Sequence, residues 1–515
     1  MTQDRLVQLL TSNSPLETAE IRSIRKEIMS RREAMDVLRH ELQALEAECK
    51  AYESLLAPMR RNVLPVEVLG DIFSLVVQMP ETTTDSQVTT LCLVCKAWRD
   101  VALATPSIWA RVGEIEMENP LNVGKLRNWL SRARGHPRGL EVVGTRCMYE
   151  EHDEASPCPL PSTTMADFLA TGPALDELSI KASSTKCMEE LIDRILQPQS
   201  PSWNTIRAIH LGMSHWHISS GPRSWSLLKR LPPVTSLSLS PPSSEGLREN
   251  QLYQENNKTL EDLTLANLTT FRLTCDFPSP WILGRMGTGE NLETLTLDFE
   301  LSARDEERSL HAFHSRVLLP RLRTLQVLQL DDNHETQILR CLRMPALDRL
   351  DLSFGKPWGG LKVEANDYPD MWELQADIIS LVEGPNCISR LHHLRISNLP
   401  ISSCGLLEVL LQFAPLTHLR LDNVASDPIF FQRVKDKNEQ LLPQLQYLEI
   451  LNSGHSFTPQ EVFRFFEARK VIAAAGTSLV CLEELVMTVT SAKVFKGHPS
   501  NLYEVYGSGN WLSGP

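Results

Sequence analysis

From Ile21 onward, apolar side chains recur at alternating steps of three and four residues: Ile21, Ile24, Ile28, Met35, Leu38, Leu42, Leu45, Cys49, Tyr52 and Leu56. Arg31 takes the one polar slot in the series. This spacing keeps a single stripe on one side of a helix for about five heptads. Charged runs ("RKE", "RRE", "RHE", "EAE") fill the outer positions, and Pro58 is expected to end the helix. Two readings stand. Residues 15–57 form either one helix that lays its stripe on the rest of the protein, or a coiled coil that joins two copies of the chain.

A shorter rhythm follows. Leu64, Val68, Leu69, Ile72, Phe73 and Val76 fall at helical spacing, with Pro65 where a first turn tolerates proline. The polar stretch "QMPETTTDSQ" interrupts the pattern. Leu91, Val94, Cys95, Trp98, Val101 and Ala102 then mark a second amphipathic helix. "ATPSIW" predicts a third, with Thr105 as N-cap, Pro106 at the first helical position and Trp109 as a large apolar body.

Beyond this region the phrase L-x-x-L-x-L recurs. It reads "LDELSI" at Leu175, "IRAIHL" at Ile206, "VTSLSL" at Val234, "LEDLTL" at Leu260, "LETLTL" at Leu292 and "LRTLQV" at Leu322. "LDRLDL" at Leu347, "LHHLRI" at Leu391, "LTHLRL" at Leu416, "LQYLEI" at Leu445 and "LEELVM" at Leu482 continue it. Most copies lie about 25 to 32 residues apart, close to the leucine-rich-repeat period. Each phrase predicts a short strand that stacks on the next. Helical stretches such as "EELIDRIL", "GLLEVLLQF" and "EVFRFFEARKVIAAA" lie between them.

The asparagine that usually follows such a strand is mostly missing; Asn267 and Asn423 come closest, so the array is irregular. "HPRGLEVVG" reads as a cryptic first strand, and "TRCMYEEHDEASPCPLPSTT" as an exposed loop. Residues alternating with the buried leucines line a concave face. They include Asp262, Thr264, Thr294, Thr296, Arg349, Asp351, His393, Arg395, His418, Arg420, Tyr447 and Glu449. Asp351, Arg395, Arg420 and Glu449 hold matching slots, which predicts a ladder whose end carboxylates offset the central arginines.

The fold class is therefore α/β: a long N-terminal helix and a three-helix module, then an irregular leucine-rich-repeat solenoid. The expected domains are 15–57, 60–112, a connecting segment or first irregular repeat at 113–172, the repeats at 173–490 and a tail at 491–515. At 515 residues the chain is too long for one core, and 42% apolar residues leave enough to bury. A formal net charge of -13 argues against non-specific nucleic-acid binding, which depends on neutralising phosphates. No signal peptide and no membrane-length apolar run is read, and 11 scattered cysteines point to reduced thiols in the cytoplasm or nucleus.

Candidate chemistry changes this picture little. Cys92 and Cys95 form a C-x-x-C with no second ligand pair nearby, so they read as small thiols on a helix face and not as a metal site. "SHWH" (His215, His217) and "HAFH" (His311, His314) each offer only two histidines. "GRMGTGE" has the glycine order of a dinucleotide loop reversed and reads as a turn. The basic "KLRNWLSRARGHPR" reads as a solvated helix with one buried tryptophan, Trp129. No nucleophile, base and orienter come together, so no catalytic residue, metal or cofactor is expected.

"LPVEVLGDIF" followed by "LCLVCKAWRDVALATPSIW" resembles an F-box. The resemblance rests on Leu64-Pro65, Glu67, Val68-Leu69, Val94-Cys95-Lys96, Trp98-Arg99 and Trp109 in that order. A coiled-coil run into "LLAPMRRNVLP" is similar to a large fungal group of F-box proteins. The resemblance implies that Leu64, Pro65, Val68, Leu69, Ile72, Phe73, Val94, Cys95, Trp98 and Trp109 bind the Skp adaptor of a cullin ubiquitin ligase. The repeats would then hold an unknown protein substrate, with His393, Arg395, His418, Arg420 and Tyr447 as its contacts. The alternative is a repeat and coiled-coil scaffold without any ligase.

Overall fold

The computed structural model describes residues 18–61, 64–77, 84–116, 121–144, 158–197, 200–216, 228, 230–243, 265–277, 282, 289–299, 317–330, 338–355, 376–378, 390–399, 401–424, 430–431, 441–452, 459–475, 479–489, 493–497 and 503–506. Two compact units divide the chain: residues 1–81 with 87–105, and 82–86 with 106–515.

The first unit begins with α1 (Thr18–Arg61), which runs past Pro58. A proline so close to a helix end forfeits little, because few intrahelical bonds remain beyond it. Ile21 and Ile24 are half-buried, but Ile28, Met35, Leu38, Leu42, Leu45 and Tyr52 are exposed. Among the described residues nothing covers the stripe from Ile28 to Tyr52.

Three helices follow: α2 (Val66–Val77), α3 (Thr84–Val94) and α4 (Lys96–Ala104). What reads in the sequence as one helix around "LCLVCKAWRD" is two, broken at Cys95. That residue is extended (φ -163°, ψ 169°), and its Sγ accepts from the Trp98 backbone N–H at 3.4 Å. The thiol stands in for the hydroxyl or carboxylate that usually caps a helix start. Cys92 and Cys95 are half-buried and form no disulfide, and they are not a buried pair on one helix face. The helix also begins inside "QMPETTTDSQ", at Thr84, earlier than the interruption predicts. "ATPSIW" folds as a short 3-10 turn, Pro106–Trp109, with Thr105 closing α4 instead of opening a new helix.

The second unit is built on a sheet of fifteen strands among the described residues. β1 (Arg111–Glu116), β2 (Gly139–Gly144), β3 (Glu177–Ser184), β4 (Ala208–His215) and β5 (Ser236–Ser240) pair in sequence order. β6 (Thr270–Cys275), β7 (Thr294–Phe299), β8 (Thr324–Leu330), β9 (Arg349–Phe354) and β10 (His393–Ser397) continue the series. β11 (His418–Asp422), β12 (Tyr447–Leu451) and β13 (Glu484–Val489) complete the parallel run. Then β14 (Lys493–Gly497) and β15 (Tyr503–Tyr506) close the edge as an antiparallel hairpin, within the segment read as a tail.

The recurring phrase dictates the register. Its second leucines pair from strand to strand, for example Leu350↔Leu394, Leu394↔Leu419 and Leu419↔Leu448, and all four are buried. Side chains two residues apart on a strand share a face, so the third position forms a parallel buried column: Leu352, Ile396, Leu421, Ile450. Stacked columns of this kind are the core of a solenoid-like repeat. Helices α5 (Val123–Ser131) and α6 (Thr163–Thr171) come before and after β2 in the chain, and α7 (Thr185–Leu196), α8 (Ser403–Leu411) and α9 (Pro459–Ala474) lie where the apolar stretches predict them. Within α9, buried Arg469 donates to the Leu441 and Leu442 carbonyls at 2.9 Å each. Burial pulls its guanidinium down to about 10, which still leaves it charged.

One phrase is misplaced in the sequence reading. β6 is not "LEDLTL" but "LTTFRL", with Phe271 in the leucine slot between Leu237 and Leu295. Residues 260–264, including Asp262 and Thr264, lie outside the described residues, and Leu265–Asn267 is a 3-10 turn. The asparagine reading also changes. Asn398, Asn423 and Asn452 each follow a strand in the left-handed region, at φ 59°, 54° and 53°. The sequence reading had found only Asn423 of these, beside Asn267. The motif here is L-x-x-L-x-L-x-N, with Ile in place of the third leucine before Asn398 and Asn452.

Candidate functional site

The three short helices of the first unit have a buried side and an open side. Phe73 is 1% exposed and packs against Trp98 with ring centroids 5.1 Å apart. Val88, Leu91, Val101 and Ala102 are buried as well. Gly70 is buried beside Thr105; a Cβ there would lie 2.8 Å from the Thr105 Oγ1. That hydroxyl in turn donates to the Val101 carbonyl at 2.8 Å. The open side carries Leu64, Val68, Ile72 and Leu75 at the start and along α2, and Leu93 and Val94 at the end of α3. Leu93 is 71% exposed, the highest value among these.

In the second unit the polar positions of the strands form hydrogen-bonded rows across the sheet. The predicted column is in register, Asp351↔Arg395↔Arg420↔Glu449, despite the long insertion between β9 and β10. Its pairing differs from the expectation at one end. Buried Asp351 accepts from Gln326 Nε2 at 3.0 Å and Arg349 Nε at 3.3 Å. Arg395 and Arg420 each donate through Nη2 to Asp422 Oδ2 at 3.3 Å, and Arg420 also pairs with Glu449 at 3.1 Å. Asp422 Oδ1 meanwhile accepts from Asn452 Nδ2 at 3.0 Å. Asp422 is thus the hub of this cluster, and sequence reasoning missed it because it sits one alternation further along the strand.

Beside the arginines, three rings stack. His393 and His418 lie 4.1 Å apart by centroids, and His418 and Tyr447 lie 4.3 Å apart at an interplanar angle of 15°. Tyr447 Oη donates to Glu483 Oε2 at 2.8 Å. Thr417 Oγ1 donates its one proton to the His392 carbonyl at 3.1 Å, so at the 2.8 Å contact it accepts from His418 Nδ1. Burial holds both imidazoles below the usual histidine range, and His393 lowers His418 further. Near neutrality this surface is therefore a row of uncharged rings next to arginines already matched by carboxylates. At the other end of the sheet Glu177 bridges Arg111 (2.6 Å) and His210 (3.4 Å), and the His210 bond draws its carboxyl below the ordinary value. Among the described residues no three His, Cys, Asp or Glu side chains cluster as metal ligands, and no helix is long and apolar enough to cross a membrane.

Residues 62–114 match the F-box-like family. No curated protein matches the chain. Among solved structures, a Bacteroides fragilis protein is similar at 10% identity and a TM-score of 0.29, covering 70% of this chain and 76% of that one. The TLR13 chain of a TLR13–ssRNA13 complex is similar at 12% identity and a TM-score of 0.22, covering 68% of this chain and 60% of that one.

Within the F-box the predicted adaptor contacts divide. Leu64, Pro65, Val68, Ile72 and Val94 are exposed, and Leu69, Cys95 and Trp98 are half-buried. Phe73 is core. Trp109, 3% exposed, belongs to the second unit: it meets Trp129 edge-on at 4.6 Å and lies under the Arg132 guanidinium at 4.4 Å. A large aromatic residue at helical spacing cannot be assigned to core or surface from sequence when both sides of the helix are apolar. Leu75 and Leu93, both exposed, were missed for the same reason. On the sheet, His393, Arg395, His418, Arg420 and Tyr447 do come together on one face, each half-buried. His217, His311 and His314 lie outside the described residues.

Proposed function

We propose that this chain is the substrate-recognition subunit of a cullin-type (SCF) ubiquitin ligase, working in the cytoplasm or nucleus. The F-box binds the Skp adaptor, and the adaptor joins it to the cullin scaffold. The repeat sheet serves as a leucine-rich-repeat receptor that holds a protein substrate on the face carrying the stacked rings and the arginines. The chain supplies no catalytic group. It acts by proximity, raising the effective concentration of a substrate lysine near the ubiquitin-loaded enzyme.

The observation that carries this reading is the open apolar side of the F-box, Val68, Ile72 and Leu75 with Leu93 and Val94. Apolar surface left in water costs about 25 cal/mol per Å², so this concentration of exposed apolar side chains calls for a partner. The test is Ile72→Asp with Leu93→Asp in the full chain. Both positions are exposed, so the helices should persist by circular dichroism while co-purification with the Skp adaptor is lost. Undiminished adaptor capture would leave the scaffold reading. Mass spectrometry of proteins retained by both forms then reports partners held by the repeats alone.

A further inference from the structure

The exposed stripe of α1 involves none of the residues assigned above to the F-box or to the sheet face. A lone 44-residue helix has little stability of its own, since helices in proteins persist mainly by burying an amphipathic face. We propose that this stripe pairs with the same stripe of a second copy of the chain, and that the two helices run antiparallel.

The flanking charges set the direction. In coiled-coil terms Ile28, Met35 and Leu42 hold a positions, and Arg31, Leu38 and Leu45 hold d. The residues just after each d position are Arg25, Arg32, Arg39, Glu46 and Glu53, so that edge is basic in its first half and acidic in its second. In an antiparallel pair this edge meets its own reverse. Arg25 then faces Glu53 and Arg32 faces Glu46, each twice by symmetry, while Arg39 meets its own copy and, on the other flank, so does Glu41. In a parallel pair the edge meets the opposite flank. Glu27 would attract Arg32 there, but Glu41 would face Glu46 and Glu48 would face Glu53.

The stripe points the same way. Parallel helices in register would set Arg31 against Arg31 inside the apolar seam, two like charges each matched only by Glu27 of its own helix, 3.1 Å away. Antiparallel helices centred on Leu38 against Leu42 place Met35 against Leu45, Ile28 against Tyr52 and Arg31 against Cys49. No like charges then share a layer. At about 1.5 Å per residue the helix is about 65 Å long, so the two chains leave the coil at opposite ends and each dimer is two-armed.

The test uses the full chain and the Arg31→Cys variant, oxidised mildly and mapped by peptide mass spectrometry. Sedimentation equilibrium at tens of micromolar should give a dimer for both. The variant should yield an intermolecular disulfide between residues 31 and 49, and the native chain no Cys49–Cys49 bridge. A monomer in sedimentation overturns the pairing. Cys49–Cys49 as the main bridge overturns the antiparallel direction, and a dimer that forms neither bridge overturns the register.

Discussion

Asn423 donates through Nδ2 to Oδ1 of Asn398, 2.9 Å away on the preceding turn of the repeat. Both residues hold φ near +55° to +60°, where most L side chains are strained. Asn398 in turn donates to the Phe354 carbonyl at 3.3 Å, and the Asn423 backbone N–H donates to Leu451 O at 2.7 Å. The asparagines thus tie successive strand ends together. Asn423→Ala loses the amide and adds backbone strain, and should cost about 1–3 kcal/mol in denaturant titration. Asn423→Gly relieves the strain and should recover part of that loss. Equal stabilities for the two variants would show that backbone conformation is not at stake.

The shared Asp422 gives the arginine pair a structural role. Arg395→Glu with Arg420→Glu would gather four carboxylates in place of three ion pairs. The side chains are 38–40% exposed, so solvent screens each native pair to about 1 kcal/mol or less. The reversed protein should nevertheless melt several degrees lower because four like charges repel. Adaptor capture by the F-box should be unaffected. A reversed protein with unchanged melting and lost substrate capture would make the arginines ligand contacts instead.

The histidine stack predicts acid sensitivity. His393 and His418 are bases whose folded values lie below the ordinary 6.5, so the unfolded chain takes up their protons first. Their contribution to stability is whole above about pH 6.5 and is lost as the pH falls through that value toward the folded ones. The melting temperature should drop from about pH 7.5 to about pH 5.5. The double variant His393→Gln, His418→Gln should show a shallower drop, and an unchanged slope would remove these rings from the account.

Gly70 predicts a purely steric effect in the F-box. Gly70→Ala places a methyl against the Thr105 hydroxyl, a contact shorter than side chains accept. Overpacking of this kind costs about 1–3 kcal/mol, and adaptor affinity should fall with it. The companion Gly70→Ala, Thr105→Ser removes a methyl but keeps the hydroxyl, so it should rescue little. Gly70→Ala, Thr105→Ala should rescue more.

The order of the elements was legible in the amino acids because burial imposes a period. Steps of three and four marked α1 and α2, and alternate leucines marked most strands, though not β1, β6, β14 or β15, and even their register, as Leu394 opposite Leu419 illustrates. The same signal failed where local chemistry replaces the expected residue: Phe271 in a leucine slot and a thiol as the cap at Cys95. Which apolar residues face a partner was not legible. Phe73 and Leu75 are two residues apart on one apolar helix, yet one is buried and the other open, and only packing against Trp98 separates them. Charge pairing was legible only in part: Glu449 was expected to offset Arg420 and lies 3.1 Å from it, but Asp422 was not foreseen. A sequence lists carboxylates and guanidiniums, but the partner of Arg395 is 27 residues away and was decided by which strands lie side by side and which side chains reach across them.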